Sequence, residues 1–195
     1  CAGLTAWSAL VERGPVRPGE KLLILGTGGV SIFALQFGKA LGAELIVTSG
    51  SDDKLQRARD MGAHHLINYR SSPNWERDVY KLTGGQGVDH IVEVGGVGTL
   101  EKSIRSVKPG GSIYLIGVLA GKEAPLDLTP VLMQDIRIQG VVVGSRRAFE
   151  NMNRAVDVHK MEPVVDRVFS FDESAKAFEY LKSGSHFGKI CIKID

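Results

Sequence analysis

Gly26, Gly28 and Gly29 stand directly behind the aliphatic run Leu22-Leu23-Ile24-Leu25. They precede Val30, Phe33, Ala34, Phe37 and Leu41, apolar positions at helical spacing. Strand, glycine turn and helix in that order make an anion cradle. The first glycine permits the tight bend and the second lets bare backbone approach a pyrophosphate, which then faces the helix N-terminal amides and dipole. The spelling alone carries little weight: 24 glycines in 195 residues give about three Gly-x-Gly pairs by chance. Three occur, at Gly26/Gly28, Gly85/Gly87 and Gly96/Gly98. Only the first has the strand before it and the helical stripe behind it. The third glycine of the dinucleotide pattern is Ser31 here, still small enough for close helix packing. An ordinary βα turn without a ligand is the competing reading of this segment.

The second group with chemical meaning follows the next β-rich run, Leu45-Ile46-Val47-Thr48. An NAD-preferring site places Asp or Glu at this exit, about 20 residues past the glycines, to bond the ribose hydroxyls. The exit reads Thr48-Ser49-Gly50-Ser51, with Lys54 close behind. Hydroxyls, a glycine and a cation suit a 2′-phosphate better than a free hydroxyl, which favours NADP(H) over NAD(H). Two rival readings stay open: Asp52 or Asp53 reaches the ribose, or Ser51 caps a helix and Lys54 is solvated.

Other candidates are weaker. His64, His65, His90, His159 and His186 show no ligand spacing, and adjacent strand residues such as His64 and His65 point to opposite faces. Glu93 ends an aliphatic run near the expected cofactor, where a ribose or backbone contact suits it better than acid–base work. No Ser/His/Asp arrangement has supporting context. Cys1 and Cys191 lie at opposite ends of the chain, which suits a reduced compartment better than a disulfide scaffold.

Positioning these groups requires a sheet. Further β-rich runs occur at His65-Leu66-Ile67-Asn68-Tyr69, His90 to Val94, Ser112 to Gly117 and Ile136 to Val143, separated by helical patterns. Six such runs alternating with helices predict an α/β fold, a Rossmann-type doubly wound parallel sheet with right-handed crossovers. Its ligands bind beyond the carboxyl ends of the strands. After Gly144 the rhythm changes to a helix at 147–159, an extended 163–171, a helix at 172–181 and a strand at 189–194, a C-terminal helix/strand extension.

With 43% hydrophobic and 24% charged residues, the composition is that of a folded core rather than a disordered chain. A net charge of +2 without a basic tract gives no footprint for nucleic acid. No apolar stretch approaches the roughly 20 residues of a membrane span, and the N-terminus lacks a signal-peptide plan, so a cytoplasmic location is expected. The sequence begins at Cys1, with an apolar helical segment already under way, as a fragment would.

Several motifs together resemble the medium-chain dehydrogenase/reductase superfamily, which includes zinc-type alcohol dehydrogenases and quinone oxidoreductases. They are Cys1-Ala2-Gly3-Leu4-Thr5-Ala6-Trp7, Gly26-Thr27-Gly28-Gly29-Val30, Gly62-Ala63 with Ile67-Asn68-Tyr69, Val88-Asp89, Pro109-Gly110-Gly111 and Gly188-Lys189-Ile190. The resemblance implies pyrophosphate contacts at Gly28, Gly29 and Val30, ribose discrimination at Ser49, and 2′-phosphate contacts at Lys54 and Tyr69. It further implies ribose contacts at Val94 and Gly95, and nicotinamide contacts at Thr5, Gly117, Val118 and Val143. Cys1 matches the third catalytic zinc ligand of the zinc-type members, so zinc in a longer parent protein stays open, its other ligands lying elsewhere.

The same resemblance implies an absent N-terminal catalytic domain of roughly 150 residues. Residues 1–18 would then be a helical remnant of the linker, 19–146 the dinucleotide-binding domain, and 147–195 the segments that return toward the catalytic domain. It also implies a homodimer through the Ile136–Val143 edge strand. The expected activity is hydride transfer between NADP(H) and a small-molecule alcohol, carbonyl, enone or quinone in the parent, the isolated chain being inactive. A non-enzymatic NADP(H)-binding or sensing module is the alternative. S-adenosylmethionine binding ranks last because no acidic residue stands before the glycine turn.

Overall fold

A computed structural model describes residues 1–194. Six parallel strands form one sheet in the order β3-β2-β1-β4-β5-β6. Here β1 is Lys21–Leu25, β2 Glu44–Ser49, β3 His65–Asn68, β4 Val88–Glu93, β5 Val107–Leu115 and β6 Arg137–Gly140. The order reverses between β1 and β4, so the crevice of a doubly wound fold opens at the end of β1.

The continuous aliphatic runs follow from burial on both faces. Leu22 and Ile24 join Leu45, Val47 and Val92 on one face, beneath α1 (Ala2–Trp7), the π-helical turn Ser8–Glu12 and α2 (Gly29–Ala40). Leu23 and Leu25 join Ile46, Ile91 and Ile113 on the other, beneath α4 (Trp75–Leu82) and α5 (Val97–Ser106). Ala6, Trp7, Ala9 and Leu10 belong to the same cluster as β1, and Trp7 meets Phe37 of α2 edge-on at 5.3 Å between ring centroids. A close helix–strand contact is made at Gly38. A side chain there would stand 2.7 Å from Leu45 Cδ2 and 2.9 Å from Leu22 Cδ2.

Two strands differ from their expected spans. β5 starts at Val107, five residues before Ser112, because Val107 pairs with Val88 ahead of a bulge. β6 is narrower than Ile136–Val143: pairing with β5 ends at Gly140, the Val141 amide donates to the Leu115 carbonyl at 3.0 Å, and the chain turns off with Val143 at φ 46°.

Beyond the sheet come α6 (Thr129–Met133) in the β5–β6 connection, then α7 (Arg146–Val158), β7 (Val165–Ser170), α8 (Ser174–Ser183) and β8 (Lys189–Lys193). β7 and β8 pair in parallel as a separate two-stranded sheet. α7 buries Ala148 and Met152 in the cluster shared with Trp7. α3 (Asp52–Asp60) completes the β2–β3 crossover.

Candidate functional site

The turn after β1 leaves the sheet at Gly26, whose φ of 74° suits glycine. It is fastened from beneath: Ser31 Oγ donates to the Leu25 carbonyl at 2.7 Å, and the Gly26 amide donates to Thr48 Oγ1 at 3.3 Å. α2 then starts behind an extended Gly28 with no side-chain cap. α3 and α7 are capped by Ser51 and Ser145, whose side chains accept from Lys54 N and Ala148 N, while α4, α5 and α8, like α2, carry no side-chain cap. The first amides of a helix need partners. Those of α2 are left to whatever occupies the space above Gly28, where a Cβ would meet nothing within 4 Å.

That space is a cleft of about 950 Å³. One wall is the β2 and β3 exits: Ser49, Gly50, Ser51, Lys54, Tyr69 and Arg70. Gly50 lets this wall close up, since a side chain there would stand 2.8 Å from the Tyr69 hydroxyl and 2.9 Å from Arg70 Nε. Ser49 Oγ accepts from the Ser51 amide at 3.3 Å, and Ser51 caps α3. Lys54 Nζ is not merely solvated; it donates to the Gly184 carbonyl at 2.6 Å. Burial lowers the Lys54 pKa, the charges of Arg57 and Arg70 lower it further, and Asp166 opposes them. Asp52 is engaged elsewhere, accepting from Asn68 Nδ2 at 2.7 Å, and neither Asp52 nor Asp53 lines the cleft. No described residue lining it is acidic.

The floor is made by Val94, Ile116 and Gly117 at the ends of β4 and β5. Glu93 organises the turn beside them and is fully buried. Its Oε1 accepts from the Gly95 amide at 2.8 Å, the Gly96 amide at 3.2 Å and Thr99 Oγ1 at 2.6 Å, and its Oε2 accepts from Ser103 Oγ. Its oxygens are thus occupied by backbone and hydroxyl donors, the backbone contact expected of it.

The far wall comes from the C-terminal extension. Ser183 at the end of α8, with Gly184, Ser185 and His186 between α8 and β8, lines the cleft with Gly188, Lys189 and Ile190. Gly188 forms a parallel bridge to Gly28, its amide donating to the Thr27 carbonyl at 2.9 Å. The Lys189 stem lies over Gly29, where a Cβ would stand 2.6 Å from Lys189 Cδ.

Of the residues singled out by sequence, Gly26, Gly28, Gly29, Val30, Ser49, Lys54, Tyr69, Val94 and Gly117 share this cleft. Thr5, Gly95, Val118 and Val143 do not line it. Thr5 is buried with its hydroxyl on the Cys1 carbonyl at 2.9 Å, and a side chain at Gly95 would meet Thr99 Oγ1 at 2.3 Å. Sequence reasoning missed Arg70 and the 183–186 loop, and assigned no role to Gly188-Lys189 although it noted the pair.

Cys1 is exposed, and no group of three or more His, Cys, Asp or Glu among the described residues could hold a metal ion. A catalytic zinc needs three protein ligands, so the described residues do not make a zinc site. Three histidines serve structure: His64 Nδ1 accepts from the Leu45 amide at 2.9 Å, His65 meets Glu44 at 2.9 Å, and His90 bridges Tyr114 and Glu20. Among the described residues, no helix is long and apolar enough to cross a membrane.

The reversed strand order, the uncapped helix behind a glycine turn and the cleft at the strand exits define a Rossmann-type dinucleotide-binding domain. Residues 29–157 match the family model described as zinc-binding dehydrogenase. The chain belongs to this family, as the cofactor-binding part of a medium-chain dehydrogenase/reductase. It is 43% identical over its whole length to a zinc-type alcohol dehydrogenase-like protein of Schizosaccharomyces pombe, covering 58% of that protein. Among solved structures it is similar to a putative alcohol dehydrogenase from Sinorhizobium meliloti, with 47% identity, a TM-score of 0.94, and 100% of this chain aligned to 56% of that one. A structure described as an NAD-dependent alcohol dehydrogenase gives 34% identity and a TM-score of 0.93, over 100% of this chain and 57% of that one. The chain therefore spans little more than half the length of these relatives.

Proposed function

We propose that this chain is the NADP(H)-preferring cofactor domain of an oxidoreductase that moves hydride between the nicotinamide and an alcohol, carbonyl, enone or quinone. The observation that carries the preference is the β2 exit. Ser49, Ser51, Lys54, Tyr69 and Arg70 gather there, and among the described residues no carboxylate lines the cleft beside them. A ribose with free hydroxyls would find no acidic acceptor, whereas a phosphate finds two cations and several hydroxyls.

The bound dinucleotide would supply the hydride chemistry; the chain's own residues bind and orient it. The α2 amides at Gly29 and Val30 receive the pyrophosphate, with the dipole of α2 behind them. Val94, Gly117 and the Glu93-braced turn form the floor on which the nicotinamide end lies. Gly95, Thr5, Val118 and Val143 belong to this reading as contacts made only when the chain's surroundings are complete.

The substrate pocket, the proton relay and any zinc ligands besides Cys1 would come from residues outside this chain, so the chain alone turns nothing over. In the whole protein a homodimer through the β6 edge, in the cytoplasm, completes the reading. Leu132 and Met133 of α6, in the β5–β6 connection, and Val142 just past β6 are exposed and give it an apolar surface to bury.

Calorimetric titration with NADPH and NADH tests the preference, and the likeness to an NAD-dependent relative gives the test its edge. NADPH should bind at least tenfold more tightly, and Lys54→Ala should remove about 1.5–3 kcal/mol from NADPH binding alone. Equal affinities for the two cofactors would overturn the preference. Binding of neither would overturn the function.

A further inference from the structure

We propose that His186 is a specificity-determining contact for the cofactor's 2′-phosphate, taking up a proton from solvent as the phosphate binds and donating a hydrogen bond to it. The inference rests on the NADP(H) reading above and deepens it. His186 lies on the loop that follows α8 through Gly184, which adopts the left-handed conformation at φ 67°. This loop is drawn onto the β2 exit by Lys54, whose ammonium holds the Gly184 carbonyl at 2.6 Å. The imidazole therefore lines the same cleft as Ser49, Lys54, Tyr69 and Arg70.

One atom of this side chain is unaccounted for. His186 Nδ1 is buried and has no hydrogen-bond partner. A buried polar atom without a partner carries a desolvation penalty, and here it belongs to a ring that lines a ligand-sized cleft. The ring rests edge-on against Tyr180 of α8, with centroids 6.4 Å apart.

The charges packed around the imidazole come from every neighbouring element. α3 contributes Lys54 and β8 contributes Lys189, while Arg57 of α3 lies over the neighbouring Phe187 ring at 4.2 Å and Arg70 lines the same cleft. The nearby anion is Asp166 of β7, which is already engaged by Arg57 Nη1 at 2.8 Å and by the Tyr180 hydroxyl at 2.7 Å. Burial first, then the positive charge of Lys54, holds the His186 pKa below its usual value; Asp166 opposes them and Lys189 adds to the lowering. At neutral pH the empty cleft thus holds a neutral imidazole. A phosphate dianion between Lys54 and His186 reverses the local field and favours the imidazolium. The balance is one proton from solvent to the ring, with no other bond made or broken. NAD(H) has no charge at that position and gives no such uptake.

The experiment is calorimetric titration of the full-length protein with NADPH and with NADH at pH 7.5, in two buffers of different ionisation enthalpy, for the unaltered protein and for His186→Gln. A phosphate entering a cationic site tends by itself to release protons, because its second pKa, ordinarily about 6, falls there. Net uptake therefore reports a protein group. The unaltered protein should take up a fraction of a proton with NADPH and none with NADH. His186→Gln should abolish that uptake and weaken NADPH binding about tenfold while leaving NADH unchanged. Three results overturn the proposal with the NADP(H) preference intact: no NADPH-specific uptake in the unaltered protein, uptake and preference unchanged in His186→Gln, or an equal loss of both cofactors. Equal affinity of the unaltered protein for NADPH and NADH overturns the underlying preference and the proposal with it.

Discussion

Gly188 is bridged to Gly28, so a residue near the C-terminus closes onto the turn that opens the cofactor cleft. Gly188 has a φ of 74°, and a Cβ there would stand 2.6 Å from the Val164 carbonyl oxygen. Gly188→Ala should therefore combine backbone strain with a clash and cost about 1–3 kcal/mol. Gly184→Ala, at a φ of 67° with nothing within 4 Å of the new methyl, should cost only about 1 kcal/mol. Urea denaturation of both variants checks this. Equal losses would show that the clash with Val164 is relieved without cost.

Glu93 is a buried carboxylate held by two backbone amides and two hydroxyls. Glu93→Gln replaces one acceptor oxygen by an NH₂ that faces donors. The expected loss is about 2–4 kcal/mol in urea denaturation, and dinucleotide affinity should fall as the 94–96 turn loosens. A variant as stable as the parent would refute the bracing role.

Acid should find a specific weak point at the other end of the sheet. Burial pushes the Asp89 pKa up, but hydrogen bonds from Lys108 and the Lys21 amide and the Lys108 charge outweigh it, leaving it below the ordinary carboxylate value. A depressed folded pKa contributes stability that is present above the unfolded value, about 3.9. That contribution is lost as pH falls through the folded value. Asp89→Asn should therefore lose on the order of 1 kcal/mol at pH 7 and show a shallower decline below about pH 4. Denaturant titrations across pH 2–7 read both effects.

The apolar surface beside β6 offers a test of assembly. Leu132 and Met133 of α6 are 80% and 75% exposed. Leu132→Asp should convert a dimer to a monomer in size-exclusion chromatography with light scattering. Its effect on the unfolding free energy of the monomer should stay within about 0.5 kcal/mol. A monomeric parent protein, or a dimer untouched by the substitution, would remove the edge-strand assembly.

Local patterns made the sheet readable. The Leu22–Leu25 run and the stripe from Val30 to Leu41 became β1 and α2 because both faces of a parallel strand are buried, and burial leaves a continuous apolar signature. The β2 exit then located Ser49 and Lys54, and the family resemblance added Tyr69 and Val94. The overextension of β6 to Val143 arose because valines continue past the last paired residue, and the turn at a positive φ on Val143 has no glycine to announce it. The far wall was hidden for a different reason. The 183–186 loop reaches the cleft through tertiary contacts, the Lys54–Gly184 hydrogen bond and the Gly28–Gly188 bridge, which leave no periodicity in the sequence. Ser31 is buried with its hydroxyl on the Leu25 carbonyl, the close helix–strand approach a small residue there allows, and Gly38 adds a second such contact seven residues on.

The C-terminal far wall also bears on how the protein is made. The residues of all six sheet strands leave the ribosome before Gly188 does, and domains fold as units during synthesis. A nascent chain can therefore assemble the sheet while its cleft still lacks one side. The nucleotide cannot be held between two walls until β8 has been translated, so cofactor loading follows assembly of the sheet. Deletion of residues 184–195 should leave a folded sheet with an open shelf in place of a pocket.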